Sequence, residues 1–225
     1  MKRSFVVKLG AQARAHIERN GLVPADIACI PAAAGGPKGL ILGPIDRFLF
    51  GHWLASSSHE VHLVGASIGA WRMATACLGD SQSAFARLEH DYIRQHYEPE
   101  PGRKRPRPEA ISALFGQGLK DFYDGHVPGV LHHPRYRLHV VTSRGRHLLR
   151  RERPVRTPLG YLGAYLTNTV SRRALGAWIE RVVFSSPGHP LPVATRDFRT
   201  RQLVLTTDNF MPALQASCSI PFVLR

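Results

Sequence analysis

Ser67 sits in Val61-His62-Leu63-Val64-Gly65-Ala66-Ser67-Ile68-Gly69-Ala70, an apolar run that breaks at G-x-S-x-G into a helical pattern. A serine on a sharp strand-to-helix turn exposes its hydroxyl at the start of the helix, where it can attack a carbonyl carbon. Gly65 and Gly69 fit this reading because a side chain at either would collide with a tight turn or with a substrate.

A second motif lies upstream. Ala32-Ala33-Ala34-Gly35-Gly36-Pro37-Lys38-Gly39 follows the apolar stretch Asp26–Ile30 and leads into helical spacing from Leu40 to Phe50. A glycine-rich turn that opens a helix presents unpaired amide hydrogens and the positive end of a helix dipole. Such a feature binds phosphate or holds the oxyanion of an acyl-transfer intermediate. It is not a nucleotide P-loop, since Leu40 follows Gly39 where a Ser or Thr would reach magnesium, and it lacks G-x-G-x-x-G. Pro37 has no N–H, so the donors are expected from Gly36, Lys38 and Gly39, with Ile68 contributing a further amide. Lys38 is open to two readings: its ammonium neutralises a lipid phosphate, or it points to solvent.

In these motifs the chain resembles the patatin-like acyl hydrolases and phospholipases. That family carries G-G-x-[RK]-G, then G-x-S-x-G, then A-S-x-[AS]-x-P, and finally D-G-[GA]. The first three appear in order as Gly35–Gly39, Gly65–Gly69 and Ala216-Ser217-Cys218-Ser219-Ile220-Pro221. The resemblance implies a three-layer α/β fold with a mainly parallel sheet. It implies a lipid acyl hydrolase, phospholipase A-like or a lysophospholipase or esterase, that uses no cofactor. Ser67 would be the nucleophile of a Ser-Asp dyad, with Gly35, Gly36, Lys38 and Gly39 building the oxyanion hole. The fourth motif is absent: Asp124-Gly125 precedes the third and so stands in the wrong order. Residues 1–225 are therefore expected to be a single domain lacking its C-terminal part and the dyad aspartate, or a natural pseudoenzyme that binds lipid or protein. Either way the chain is expected to be a weak catalyst.

Other constellations compete for the same chemistry. A serine esterase with a histidine triad would use His189, in Ser185-Ser186-Pro187-Gly188-His189-Pro190, with Asp124 as its acid. No histidine follows Asp197 or Asp208, so the order Ser, Asp, His fails for those two. Asp208 reads as a helix N-cap, or as a substitute base for Ser67. His59-Glu60-Val61-His62 is not the H-E-x-x-H of a helical zinc site, and no metal is expected. His132-His133 reads as a solvated pair in a loop.

The elements that must position these groups follow from periodicity and turn signals. Helical character runs over Ala11–Arg19, Ala70–Leu78, a segment starting at Asp80-Ser81 (Phe85, Leu88, Tyr92, Ile93), Pro108–Tyr123, Gly160–Ile179 and Asn209–Ser217. Strands are expected at Asp26–Ile30, Glu60–Val64, Tyr136–Thr142, Arg181–Ser185 and Gln202–Thr206. Strands separated by helices imply a mainly parallel α/β sheet covered on both faces. Pro99–Pro108 is a basic, Pro-rich loop and the candidate for a mobile lid.

The chain carries a net charge of +14, and residues 101–156 hold 13 Lys/Arg against 4 Asp/Glu. A solvated surface, contact with anionic lipid and nucleic-acid binding would each fit such a patch. Nucleic acid is disfavoured, because aromatics are not interleaved and no helix-turn-helix, RNP or zinc pattern appears. For an acyl hydrolase, peripheral contact with an anionic membrane makes the most chemical sense. Cys29, Cys77 and Cys218 are odd in number and lie in apolar runs, which reads as reduced core thiols of a cytoplasmic protein. The N-terminal apolar run is too short for a signal peptide, and no run approaches a membrane span.

Overall fold

In a computed structural model that describes residues 6–197 and 199–224, five strands form one sheet. They are β1 (Cys29–Ala32), β2 (Val61–Ala66), β3 (Tyr136–Gly145), β4 (Ile179–Ser185) and β5 (Thr200–Val204), and they lie side by side in sequence order. β1 and β2, β2 and β3, and β4 and β5 pair in parallel, while β3 and β4 run antiparallel. The basic residues Lys2 and Arg3 lie outside the described residues.

Among the described residues, eight α-helices flank this sheet: α1 (Ala11–Asn20), α2 (Gly43–Phe48), α3 (Ile68–Ala76), α4 (Ser81–Arg94), α5 (Pro108–Tyr123), α6 (Val127–Leu131), α7 (Arg156–Val170) and α8 (Thr207–Cys218). The fold is thus α/β with a mostly parallel sheet.

β2 shows the period of two that half-covered strands require. Val61, Leu63 and Gly65 are buried, whereas His62, Val64 and Ala66 are only partly covered. The register puts Leu138 and Val140 of β3 on the buried side of β2. There they join one core with Ile68, Met73 and Ala74 of α3 and with Phe210 and Leu214 of α8. α3 is buried along its whole length, which explains its apolar, small-residue sequence. The opposite face carries His62, His139, Val183 and Arg181. The segment 186–197 lies against it, closing round Val64 and Val141 through Leu191 and Val193.

Several boundaries differ from the sequence reading. Gly160–Ile179 is not one helix: α7 ends at Val170, Arg172–Ala177 forms a 3-10 turn, and Ile179 already belongs to β4. Ser171, in extended conformation (φ −153°), stops the helix. The chain then returns to where β3 ended, and the Arg146 N–H donates to the Trp178 carbonyl at 2.8 Å, which is why β4 runs antiparallel. Leu40–Phe50 is likewise divided, with a 3-10 turn over Gly36–Leu42, α2, and a wider turn from Leu49 to Trp53. Asp26 does not begin β1. It closes a short turn in which its carboxylate accepts from the Val23 N–H at 3.0 Å. Thr206, not Asp208, caps α8, in a reciprocal box with Asn209. His133 is no solvated histidine: its Nδ1 accepts from the amides of Arg135 and Tyr136, and its ring stacks on Tyr136.

Candidate functional site

Ser67 occupies the turn between β2 and α3 with φ 55° and ψ −129°, a conformation that L residues adopt rarely and at a cost of about 1–3 kcal/mol. The strain is held by crowding on both sides. A Cβ on Gly65 would lie 2.4 Å from the Cα of Ala70, and one on Gly69 would lie 2.2 Å from the Ala32 carbonyl oxygen. Only glycine lets β1, β2 and α3 meet this closely.

The third motif locks the turn from the other side. The Ser67 N–H donates to the Ser217 hydroxyl at 2.8 Å, and that hydroxyl donates to the Val141 carbonyl at 2.7 Å. Ser217 thus ties the last turn of α8 to β3 and to the serine turn at once. Beside it, burial pushes the Cys218 thiol up to about 11, an effect the neighbouring Ser67 hydroxyl partly offsets.

The glycine loop lies against the same turn. Ala32 pairs with Gly65 across parallel strands, so both chains leave the sheet at the same end. Gly36 has φ +53°, and the 3-10 turn that follows brings Gly39 onto Ile68: a Cβ on Gly39 would stand 2.7 Å from Ile68 Cγ2. Gly39 is buried, Gly36 half-buried, and Gly35 and Lys38 are exposed. Ala34, immediately before Gly35, lines the same cavity as Ser67. Behind the loop, Arg72 of α3 makes two 2.6 Å hydrogen bonds to Asp46 of α2, both side chains being buried. Burial raises the Asp46 carboxyl and the Arg72 guanidinium opposes that shift.

That cavity has a volume of about 410 Å³. Ala66, Val141, Leu149, Ala216 and Leu224 give it apolar walls, while Thr142, Ser143, Thr157 and Ser219 supply polar ones. Glu152 is the one carboxylate lining it among the described residues, and it accepts from the Phe222 N–H. Nothing in local sequence marked Glu152, which reaches the cavity only because α7 and the 219–224 segment fold back together. Tyr161 of α7 borders the cavity, whereas none of residues 99–108 does. α7 thus contributes Thr157 and Tyr161 to the wall of the cavity that holds Ser67.

The rival residues fall elsewhere. His189 lies beside Glu60 (3.4 Å) and His62, whose rings are 6.5 Å apart. His62 is five residues back along β2 from Ser67, about 16 Å of extended strand. Asp124 follows Tyr123, whose hydroxyl reaches Thr75, eight residues along α3 from Ser67. Asp208 stands at the first turn of α8, about 13 Å of helix rise from Ser217. Asp197 is engaged by Arg181 at 2.8 and 3.0 Å beyond the opposite face. These placements bring neither His189 with Asp124 nor Asp208 to Ser67.

His62, His139 and His189 form a second polar cluster that the sequence did not announce. His62 Nδ1 and His139 Nε2 are 2.8 Å apart, and His139 Nδ1 is 2.8 Å from the Ser185 hydroxyl. Burial lowers His62, and it takes His139 down to about 4, with His62 and His189 adding to that shift. Among the described residues no group of His, Cys, Asp or Glu has the arrangement to hold a metal ion. The three cysteines are free thiols, and among the described residues no helix is long and apolar enough to cross a membrane. The basic region is partly consumed internally: Arg137 pairs with Glu60 at 2.8 Å, Arg107 with Glu100 at 2.8 Å, and Arg135 lies over the Tyr136 ring.

Compared with protein-family models, curated proteins and solved structures, the chain finds no match.

Proposed function

We propose that this chain is a serine acyl hydrolase built on a three-layer, patatin-like α/β plan and directed at carboxylic esters of lipids. One observation carries the reading: Ser67 is held at positive φ on a strand-to-helix turn and opens onto the same cavity as Ala34, the residue that leads into the glycine loop. Ser67 Oγ attacks the ester carbonyl carbon and gives up its proton as the carbonyl electrons move onto oxygen; when those electrons return, the ester C–O bond breaks and the departing alkoxide takes that proton to leave as alcohol. Water then releases the acyl group from Ser67. The amides of Gly36, Lys38 and Gly39, with Ile68 at the first position of α3, are the donors for the oxyanion. The apolar walls suit an acyl chain better than a charged metabolite.

The activating base is the weak link. Among the described residues, neither a carboxylate nor an imidazole is hydrogen-bonded to the Ser67 hydroxyl, and the dyad aspartate implied by the resemblance has no counterpart in residues 1–225. This observation favours a second reading, a scaffold that holds acyl lipid without turning it over. A fluorophosphonate probe together with a chromogenic short-chain ester separates the two. Labelling that Ser67→Ala abolishes, with slow ester turnover, supports the hydrolase. A wild-type chain that takes no label overturns it in favour of the binding scaffold.

A further inference from the structure

The packing of α7 is inverted in size. It buries its smallest residues, Thr157, Gly160 and Ala164. Gly160 lies against Leu149 and Gly163 against the Trp178 ring, where an added Cβ would come within 2.6 Å and 2.4 Å respectively. Its large side chains point the other way. Val155 at the N-cap, Leu159, Leu162, Leu166 and Val170 follow a spacing of three and four and so share one strip of helix surface. Their exposures are 67%, 57%, 53%, 55% and 88%, and Tyr165 flanks them at 67%. A contiguous apolar strip of this kind marks a surface that something covers.

Charge says what covers it. Arg150, Arg151, Arg153 and Arg156 are exposed at the N-terminal end of α7, and Arg173 is exposed just beyond its C-terminal end. The one carboxylate within this stretch, Glu152, is half-buried and turned towards the Phe222 amide. An apolar strip with guanidinium groups at both ends is the pattern of a helix lying in a bilayer interface, its leucines among acyl chains and its cations on anionic headgroups. A second copy of this chain is a poor occupant, because the pairing would bring two arginine-flanked strips of the same sign together in a chain of net charge +14.

We propose that α7 is the membrane-docking element of this protein, seated in the interface of an anionic bilayer. Docking stands on the helix and its arginines alone. Its functional consequence rests on the acyl-hydrolase reading: Thr157 and Tyr161, on the flank of the same helix, line the cavity of Ser67, so docking sets the cavity mouth at headgroup level. Ile220 and Val223, exposed on the segment that carries the cavity residues Pro221 and Leu224, extend the apolar surface beside it.

The test is co-sedimentation of the whole chain with vesicles of phosphatidylcholine alone or mixed with phosphatidylglycerol, with circular dichroism verifying that each variant is folded. The wild type should favour anionic vesicles, and the double variant Leu162→Asp/Leu166→Asp should lose at least about tenfold in partitioning. Arg150→Gln/Arg151→Gln/Arg153→Gln should lower binding to the anionic vesicles only. Equal partitioning of wild type and the leucine variant, or no partitioning at all, overturns the proposal. So does a concentration-dependent dimer that the leucine variant abolishes. Fluorophosphonate labelling is read on the same samples. Docking without label sinks the hydrolase reading and leaves α7 as a docking helix; label without docking does the reverse.

Discussion

Ser217, in the last turn of α8, holds Ser67 from 150 residues away: its hydroxyl accepts the Ser67 N–H at 2.8 Å and donates to the Val141 carbonyl at 2.7 Å. The bond does two things. It satisfies an amide at a helix start, and it fixes a residue whose backbone is strained. Ser217→Ala should therefore lower stability by about 1–2 kcal/mol and slow probe labelling of Ser67, because the turn is free to relax. Ser217→Thr, which keeps the hydroxyl, should restore both. Urea midpoints and labelling rates measured on the same samples decide it, and an alanine variant that labels like wild type would show that Ser217 does not position the nucleophile.

The serine turn should tolerate no side chain at its two glycines. At Gly65 and Gly69 the clashing atoms belong to backbone, so no rotamer change relieves them. Gly69→Ala should destabilise by about 3 kcal/mol or prevent folding. Gly118 offers a matched contrast: it lies inside α5 and an added Cβ there meets nothing within 4 Å. Gly118→Ala should stabilise by roughly 0.5–1 kcal/mol through the unfolded state. Opposite signs for one chemical change, read from denaturant midpoints, would separate steric need from general helix propensity.

How much of this was legible beforehand depends on how local the cause is. The turn at Ser67 was visible because G-x-S-x-G is a local pattern and Gly65 acts on Ala70 a few residues away, although the contact that requires Gly69 is with Ala32 on β1. The convergence of Gly39 on Ile68 followed from two parallel strands that leave one end of a sheet. The end of α7 was hidden because Leu175, Ala177 and Trp178 continue its apolar spacing, so only the extended Ser171 marks the stop. Glu152 beside the cavity and the His62–His139 pair depend on register and on contacts across 70 or more residues, which no window of sequence contains. The opposite orientation of β4 followed from the Arg146–Trp178 closure rather than from any property of its own residues.

The placement of His189 makes a clean negative prediction. Its ring is held at the start of β2 by Glu60 and His62, while Ser67 lies at the other end of that strand. His189→Ala should leave the labelling rate of Ser67 unchanged within about twofold, because no proton path joins them. A loss of about a hundredfold or more, the scale of a missing general base, would return the histidine triad to consideration.

The buried histidines should make this fold sensitive to mild acid. His139 is fully buried, with His62 on β2, Ser185 on β4 and His189 with Glu60 around it, and its pKa is lowered to about 4 chiefly by burial. His133 is lowered to about 4 by burial, with Arg135 and Arg137 adding to the effect. In the unfolded chain both would titrate near the usual value of about 6.5. The unfolded state therefore takes up protons first as pH falls. The stability these groups contribute is complete above about pH 6.5, declines progressively below it, and is gone once the folded-state pKa near 4 is passed. For His139 alone the change is on the order of 3 kcal/mol. Urea midpoints measured from pH 7.5 down to about 4.5 should fall steadily. In His139→Gln, which keeps an amide to bond Ser185 and cannot titrate, the slope should be shallower. A wild type whose midpoint is flat across that window would mean that the His62–His139 pair opens to solvent in the folded state.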